Sequence, residues 1–123
     1  MRNFYRASLA CVFLAMSLGA CTQLRGTGDL GIVVERAAGS VLVVETTHRR
    51  QLARVHGLGD LSHASAVYSR DQRYAYVFGR DGGLTKVDLL RGRIDKRIVQ
   101  AGNSIGGAIS QDGTLVADRK SVV

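Results

Sequence analysis

From about residue 30 onward, apolar and polar residues alternate in short runs, and Gly, Asp, Asn and Ser separate one run from the next. A period of two puts successive side chains on opposite faces of an extended backbone, so each run predicts a half-buried β-strand. Eight strands are expected, near residues 31–35, 41–46, 51–55, 66–68, 74–78, 84–89, 93–100 and 107–110. Helical periodicity is weak over the same stretch. Between 66–68 and 74–78, Ser69-Arg70-Asp71-Gln72-Arg73 forms a polar turn, so this pair reads as a hairpin. Asp81-Gly82-Gly83 and Ala38-Gly39-Ser40 supply the glycines that tight hairpins need for positive φ.

The pattern returns along the chain. Ser69-Arg70-Asp71-Gln72-Arg73-Tyr74 corresponds to Ser110-Gln111-Asp112-Gly113-Thr114-Leu115. Val34-Glu35-Arg36-Ala37-Ala38-Gly39 corresponds to Val77-Phe78-Gly79-Arg80-Asp81-Gly82-Gly83. The period of roughly 41 to 44 residues is that of one four-stranded propeller blade. Taken in chain order, the eight strands make two copies of four. The expected fold is therefore all-β, an N-terminal fragment of about two blades of a β-propeller. Two blades leave open faces, because a propeller protects its sheets by closing a ring, so the chain is expected to be truncated.

Aligned on this repeat, Val67 falls opposite Ala108 and Ser69 opposite Ser110, whereas His63 falls opposite Ser104. Positions that build the blade recur and the imidazole does not, which makes His63 the first candidate functional residue. The alternative is a loop histidine that hydrogen-bonds a neighbouring carbonyl. His48 and His56 sit at turn or strand-end positions and read as surface histidines.

The N-terminus predicts export. Arg2 and Arg6 precede an apolar run over residues 7–18 that is too short to span a bilayer as a helix. Leu18-Gly19-Ala20-Cys21 then matches the lipoprotein signal pattern, in which small residues admit the peptidase and the Cys21 thiol takes the diacylglycerol. The alternative is an ordinary secretory signal cleaved beside a free thiol. The expected organisation is a signal over 1–20, blades over 21–117, and a body held on the periplasmic side by the acyl chains on Cys21. Thr22 in place of an aspartate favours the outer membrane. Cys11 leaves with the signal, so no disulfide, iron–sulfur cluster or thiolate metal site is expected in the mature chain.

The formal charge of +7 overstates the body's basicity, because Arg2 and Arg6 belong to the signal. The last six residues, Asp118-Arg119-Lys120-Ser121-Val122-Val123, are the peptide that a common short-read sequencing adapter encodes in frame, and a non-native tail is expected over 118–123. The cations that remain are spread over many turns, with no basic helix or aromatic-interleaved patch, so nucleic acid is not an expected partner. Their guanidinium groups suit an anionic ligand.

Four segments carry a resemblance that spans residues 24–116. They are Leu24-Arg25-Gly26-Thr27-Gly28-Asp29-Leu30-Gly31, Gly57-Leu58-Gly59-Asp60-Leu61-Ser62-His63-Ala64-Ser65, Tyr74-Ala75-Tyr76-Val77-Phe78-Gly79-Arg80-Asp81-Gly82-Gly83 and Gln100-Ala101-Gly102-Asn103-Ser104-Ile105-Gly106-Gly107-Ala108-Ile109-Ser110. Together they resemble the haem d1 propeller family, which includes the haem-d1 domain of dissimilatory nitrite reductase and its biosynthetic relatives. The resemblance implies an eight-bladed propeller in the full-length protein. It also implies a role in making haem d1, by binding a modified tetrapyrrole precursor, with nitrite reductase and other maturation proteins as partners.

In the reductase relatives a histidine before the corresponding turn is the proximal iron ligand, and His63 stands at the matching position. Arg80 matches a motif arginine near the cofactor face, where it could pair with tetrapyrrole carboxylates; its alternative is a turn residue paired with Asp81 or Asp60. A tetrapyrrole-modifying oxidoreductase and a carrier both remain open, as does a β-propeller lipoprotein that acts as a periplasmic protein-interaction scaffold without cofactor. Nitrite reductase itself is disfavoured, because no Cys-x-x-Cys-His occurs to attach its c-type haem.

Overall fold

The computed structural model describes residues 28–99 and 102–120. The expected signal over 1–20 and the expected lipidation site Cys21 lie outside the described residues. The described chain is all β, with strands β1 (Leu30–Glu35), β2 (Ser40–Glu45), β3 (Arg50–Val55), β4 (Ser65–Tyr68), β5 (Tyr74–Phe78), β6 (Gly83–Asp88), β7 (Arg93–Val99), β8 (Ser104–Ile109) and β9 (Val116–Lys120). Each of the eight expected strands is present with its ends within three residues of the expected ones. The ninth runs through Ala117, across the boundary at which the tail is expected to begin.

The strands form three antiparallel sheets, ordered β1-β2-β3, β4-β5-β6-β7 and β8-β9. The expected grouping by fours in chain order is therefore out of phase by one strand. β4 follows β3 in sequence but pairs with β5, and β8 follows β7 but pairs with β9. For β4 the two connections differ in length. A five-residue turn returns the chain from β4 onto β5, whereas the nine residues 56–64 carry it from β3 to the start of the next sheet.

The turns show why this sequence makes hairpins. Between β4 and β5, Ser69 Oγ hydrogen-bonds Asp71 and accepts from the Tyr74 amide, while Asp71 accepts from the Arg73 amide at 3.1 Å. Between β8 and β9 the set recurs: Ser110 Oγ hydrogen-bonds Asp112 and accepts from the Leu115 amide, and Asp112 accepts from the Thr114 amide. Each turn needs one residue in the left-handed region, which Gln72 fills in the first (φ 57°) and Gly113 in the second (φ 75°). Short Ser and Asp side chains thus satisfy amides that no ladder reaches.

The core lies between the first two sheets. Val41, Val43 and Val55 of one face Ala75, Val77 and Val87 of the other, and Leu58 and Leu61 from the connecting loop fill the end. Each such side chain, fully buried, contributes about 1.5–3 kcal/mol through the apolar area it removes from water. Phe78 is fully buried and lies against Gly107 of β8, where a Cβ would come within about 2 Å of the ring. Close stacking of the second and third sheets therefore requires glycine at that position.

Candidate functional site

Three chain segments meet at one end of the sheets: loop 56–64, the β5–β6 turn carrying Arg80, and the approach to β8 carrying Asn103. The loop is anchored from below. Leu58 and Leu61 are 1% and 0% exposed, and the Leu58 amide donates to the Gly39 carbonyl at 3.0 Å. With those leucines committed inward, the residues between and after them face outward. Asp60 accepts the Ser62 amide at 2.9 Å, and the Ala64 amide donates to the Leu61 carbonyl at 3.1 Å. This closes a tight turn with His63 at its exposed corner.

Backbone bonds tie the three segments together. The Arg80 amide donates to the Asp60 carbonyl at 2.8 Å, and the Asn103 amide donates to the Arg80 carbonyl, also at 2.8 Å. Beneath them, Arg97 of β7 pairs with Asp81 and hydrogen-bonds the Leu58 carbonyl. Gly59, at φ +85°, passes so close to that ion pair that a Cβ would overlap the Asp81 carboxylate and the Arg97 guanidinium. The loop can reach the turn only because residue 59 has no side chain.

His63 and Arg80 are both exposed, and both lie close enough to Asp60 to act on it electrostatically. The amide and hydroxyl of Ser62, and then the charges of Arg80 and His63, hold the Asp60 carboxyl below the usual carboxylate range. Among the described residues neither the His63 ring nor the Arg80 guanidinium makes a hydrogen bond or an ion pair. Of the two alternatives for Arg80, a pair with Asp81 is not formed, because Asp81 is engaged by Arg97, whereas Asp60 lies within electrostatic reach of the guanidinium. The expected alternative for His63, a bond to a neighbouring carbonyl, is not formed either.

Asp60 and Asn103 are the members of this cluster that sequence reasoning did not single out as site residues. For Arg97 a signal existed, since it repeats Arg54 at the same strand position 43 residues on and Arg54 likewise ion-pairs a carboxylate, Glu35. The remaining histidines behave as expected of surface groups: His56 is exposed, and His48 pairs with Glu45 at 2.9 Å.

No group of three His, Cys, Asp or Glu side chains that could hold a metal ion exists among the described residues. Shallow clefts open beside Tyr74 and Lys86, beside Gly107 and Ala117, and beside Leu30 and Tyr68, and neither His63 nor Arg80 lines any of these three.

Comparison with known proteins adds an independent line. Residues 25–120 match the family model described as Cytochrome D1 heme domain. The chain is similar to Protein NirF of Stutzerimonas stutzeri, 74% identical over 102 residues that make up 81% of this chain and 26% of that protein. It is similar also to Protein NirF of Pseudomonas aeruginosa, 68% identical over 111 residues, 89% of this chain and 28% of that protein. The chain thus spans about a quarter of the length of these relatives.

Among solved structures, dihydro-heme d1 dehydrogenase NirN in complex with DHE superposes with a TM-score of 0.69 at 26% identity, covering 75% of this chain and 20% of that one. Kuenenia stuttgartiensis hydrazine synthase superposes with a TM-score of 0.67 at 19% identity, covering 84% of this chain and 31% of that one, which speaks to the fold alone.

Proposed function

Because this chain belongs to the Cytochrome D1 heme domain family, we propose that it supplies the first blades of an exported, lipid-anchored β-propeller that binds a modified tetrapyrrole on the way to haem d1. The observation that carries this reading is that His63 and Arg80, both exposed and without a hydrogen bond or ion pair among the described residues, lie near Asp60 on a loop and a turn that a backbone bond joins. Their chemistry suits a tetrapyrrole. A neutral imidazole nitrogen donates to iron, and a guanidinium meets a ring carboxylate bidentately. Support comes also from the NirN structure, which holds DHE and shares this fold.

In this reading His63 would hold the iron and Arg80 would pair with a ring carboxylate. Both are presented by backbone bonds that fix the loop and the turn relative to each other. Asp60 lies near both side chains, and its backbone carbonyl anchors the Arg80 turn. Cys21 is the lipid attachment site, and the body faces the periplasm. The bound group, when present, supplies the redox-active iron, and the residues described here bind and orient it.

The test is a full-length chimaera in which residues 25–120 of this chain replace the matching segment of the Stutzerimonas stutzeri relative. Titrated with haem d1 or its precursors, the chimaera gives the spectrum of an imidazole-ligated iron. His63→Ala removes that spectrum and weakens binding by at least about tenfold. Arg80→Ala weakens binding about tenfold or more, as loss of a charge-assisted bond does, and leaves the ligand spectrum intact. Unchanged spectra and affinity in His63→Ala would remove the ligand assignment, and a parent chimaera that binds no tetrapyrrole would favour a cofactor-free scaffold.

A further inference from the structure

Charge is divided unequally between the inner and outer parts of the sheets. β3 and β7 end their sheets, and among the described residues no strand pairs with the far edge of either. With the turn residues that lead into them, over 49–55 and 91–99, they carry seven of the chain's 17 Lys and Arg and one of its ten Asp and Glu, Asp95. Four of the seven pair with carboxylates, Arg50 with Glu45, Arg54 with Glu35, Arg91 with Asp88 and Arg97 with Asp81, whereas Arg49, Arg93 and Lys96 form no ion pair among the described residues. The two edges are neighbours, since Gly92 beside β7 packs on Ala53 of β3. They form one continuous cationic rim. Arg49, Arg93 and Lys96 are exposed on it, and apolar side chains stand among them: Leu52 is 38% exposed, Ile98 41% and Val99 61%.

Charged residues on sheet edges ordinarily guard against edge-to-edge pairing. That need is met by either sign of charge, and it does not account for three unpaired cations, Arg49, Arg93 and Lys96, gathered on two neighbouring edges. Nor does it account for the aliphatic side chains placed between the cations. Cations that attract anionic headgroups, with short apolar groups able to enter the acyl boundary, are the composition that holds a surface against an anionic bilayer.

We propose that the outer rim formed by β3 and β7 is a docking surface for an anionic phospholipid membrane. This goes beyond tetrapyrrole binding and does not rest on it. His63 and Arg80 lie on the loop and turn at the end of the sheets, not on β3 or β7, so rim and cofactor residues are presented by different elements.

The experiment uses the same chimaera, begun at Arg25 so that neither the apolar leader nor Cys21 is present. It is mixed with vesicles of phosphatidylglycerol and phosphatidylcholine, or of phosphatidylcholine alone, and sedimented. The chimaera partitions onto the anionic vesicles and not onto the neutral ones, and 1 M salt releases it by shortening the screening length to about 3 Å. The triple variant R49Q/R93Q/K96Q loses about a hundredfold in partitioning, since each surface cation contributes about fivefold.

A control variant, R36Q, removes a cation from a turn outside the rim and keeps full partitioning. Circular dichroism and the melting temperature of both variants match the parent, which separates loss of docking from loss of fold. Equal partitioning of the triple variant and the parent overturns the proposal. So does an equal loss in the control, which would show general attraction of a basic protein, and so does salt-sensitive binding to an acidic protein with none to vesicles.

Discussion

Glu45 shows how one residue is settled by competing effects. Its side chain is 1% exposed, and burial pushes the carboxyl up. The amide of His48 together with the side chains of Asp29 and His48 outweighs burial and draws the group down to about 2 from an ordinary 4.5. A carboxyl depressed in the folded state adds stability that is fully present above pH 4.5 and is lost as pH falls toward 2. Acid titration of the folded chimaera is therefore expected to show stability declining over that window, and Glu45→Gln to flatten the decline. An unchanged acid limb in Glu45→Gln would remove this role. His63 and Glu45 differ in legibility. His63 stood out because the repeat lacked a second copy of it, whereas nothing local to Glu45 marked it as buried, since a strand-end glutamate ordinarily points to water.

Strands and turns were legible because their causes are local. Alternation places the strands, and Ser, Asp and Gly at fixed offsets close the hairpins, as the matched turns at Ser69 and Ser110 show. Sheet membership was not legible. Whether β4 pairs backward with β3 or forward with β5 depends on where loop 56–64 lands, and that is set by Leu58 and Leu61 entering a core shared between sheets. The start of β8 was also hidden, because Gly106-Gly107 reads as loop until Phe78 is seen to occupy the space a side chain would need. Gly39 tests the same point. It sits at φ +61°, and a Cβ there would come within 2.5 Å of the Gly59 carbonyl oxygen, a backbone atom that cannot swing aside. Gly39→Ala is expected to cost about 1–3 kcal/mol in urea unfolding of the chimaera. A cost below about 0.5 kcal/mol would mean that loop 56–64 is less firmly seated than its hydrogen bonds suggest.

At the scale of the whole chain the described sheets are incomplete in a specific way. β1 corresponds to β5, but no strand corresponding to β4 pairs with it among the described residues, and the Ile32 amide donates instead to the Tyr68 hydroxyl at 3.2 Å. Val33, 49% exposed, lies on the face of β1 turned away from the core, and β8 and β9 form a two-stranded sheet of a kind that is marginal alone. Expressed by itself, the 123-residue chain is expected to self-associate in sedimentation and to lack a sharp thermal transition. A soluble monomer that melts cooperatively would overturn that expectation.

The one-strand offset between sequence repeat and sheet has a consequence for how such a protein can change length. A unit running from β1 to β4 donates its last strand to the sheet of the following unit, so consecutive units are stitched rather than merely stacked. Gain or loss of a whole unit restores the stitch and leaves every other sheet intact. Any insertion or excision of another size unpicks two sheets at once.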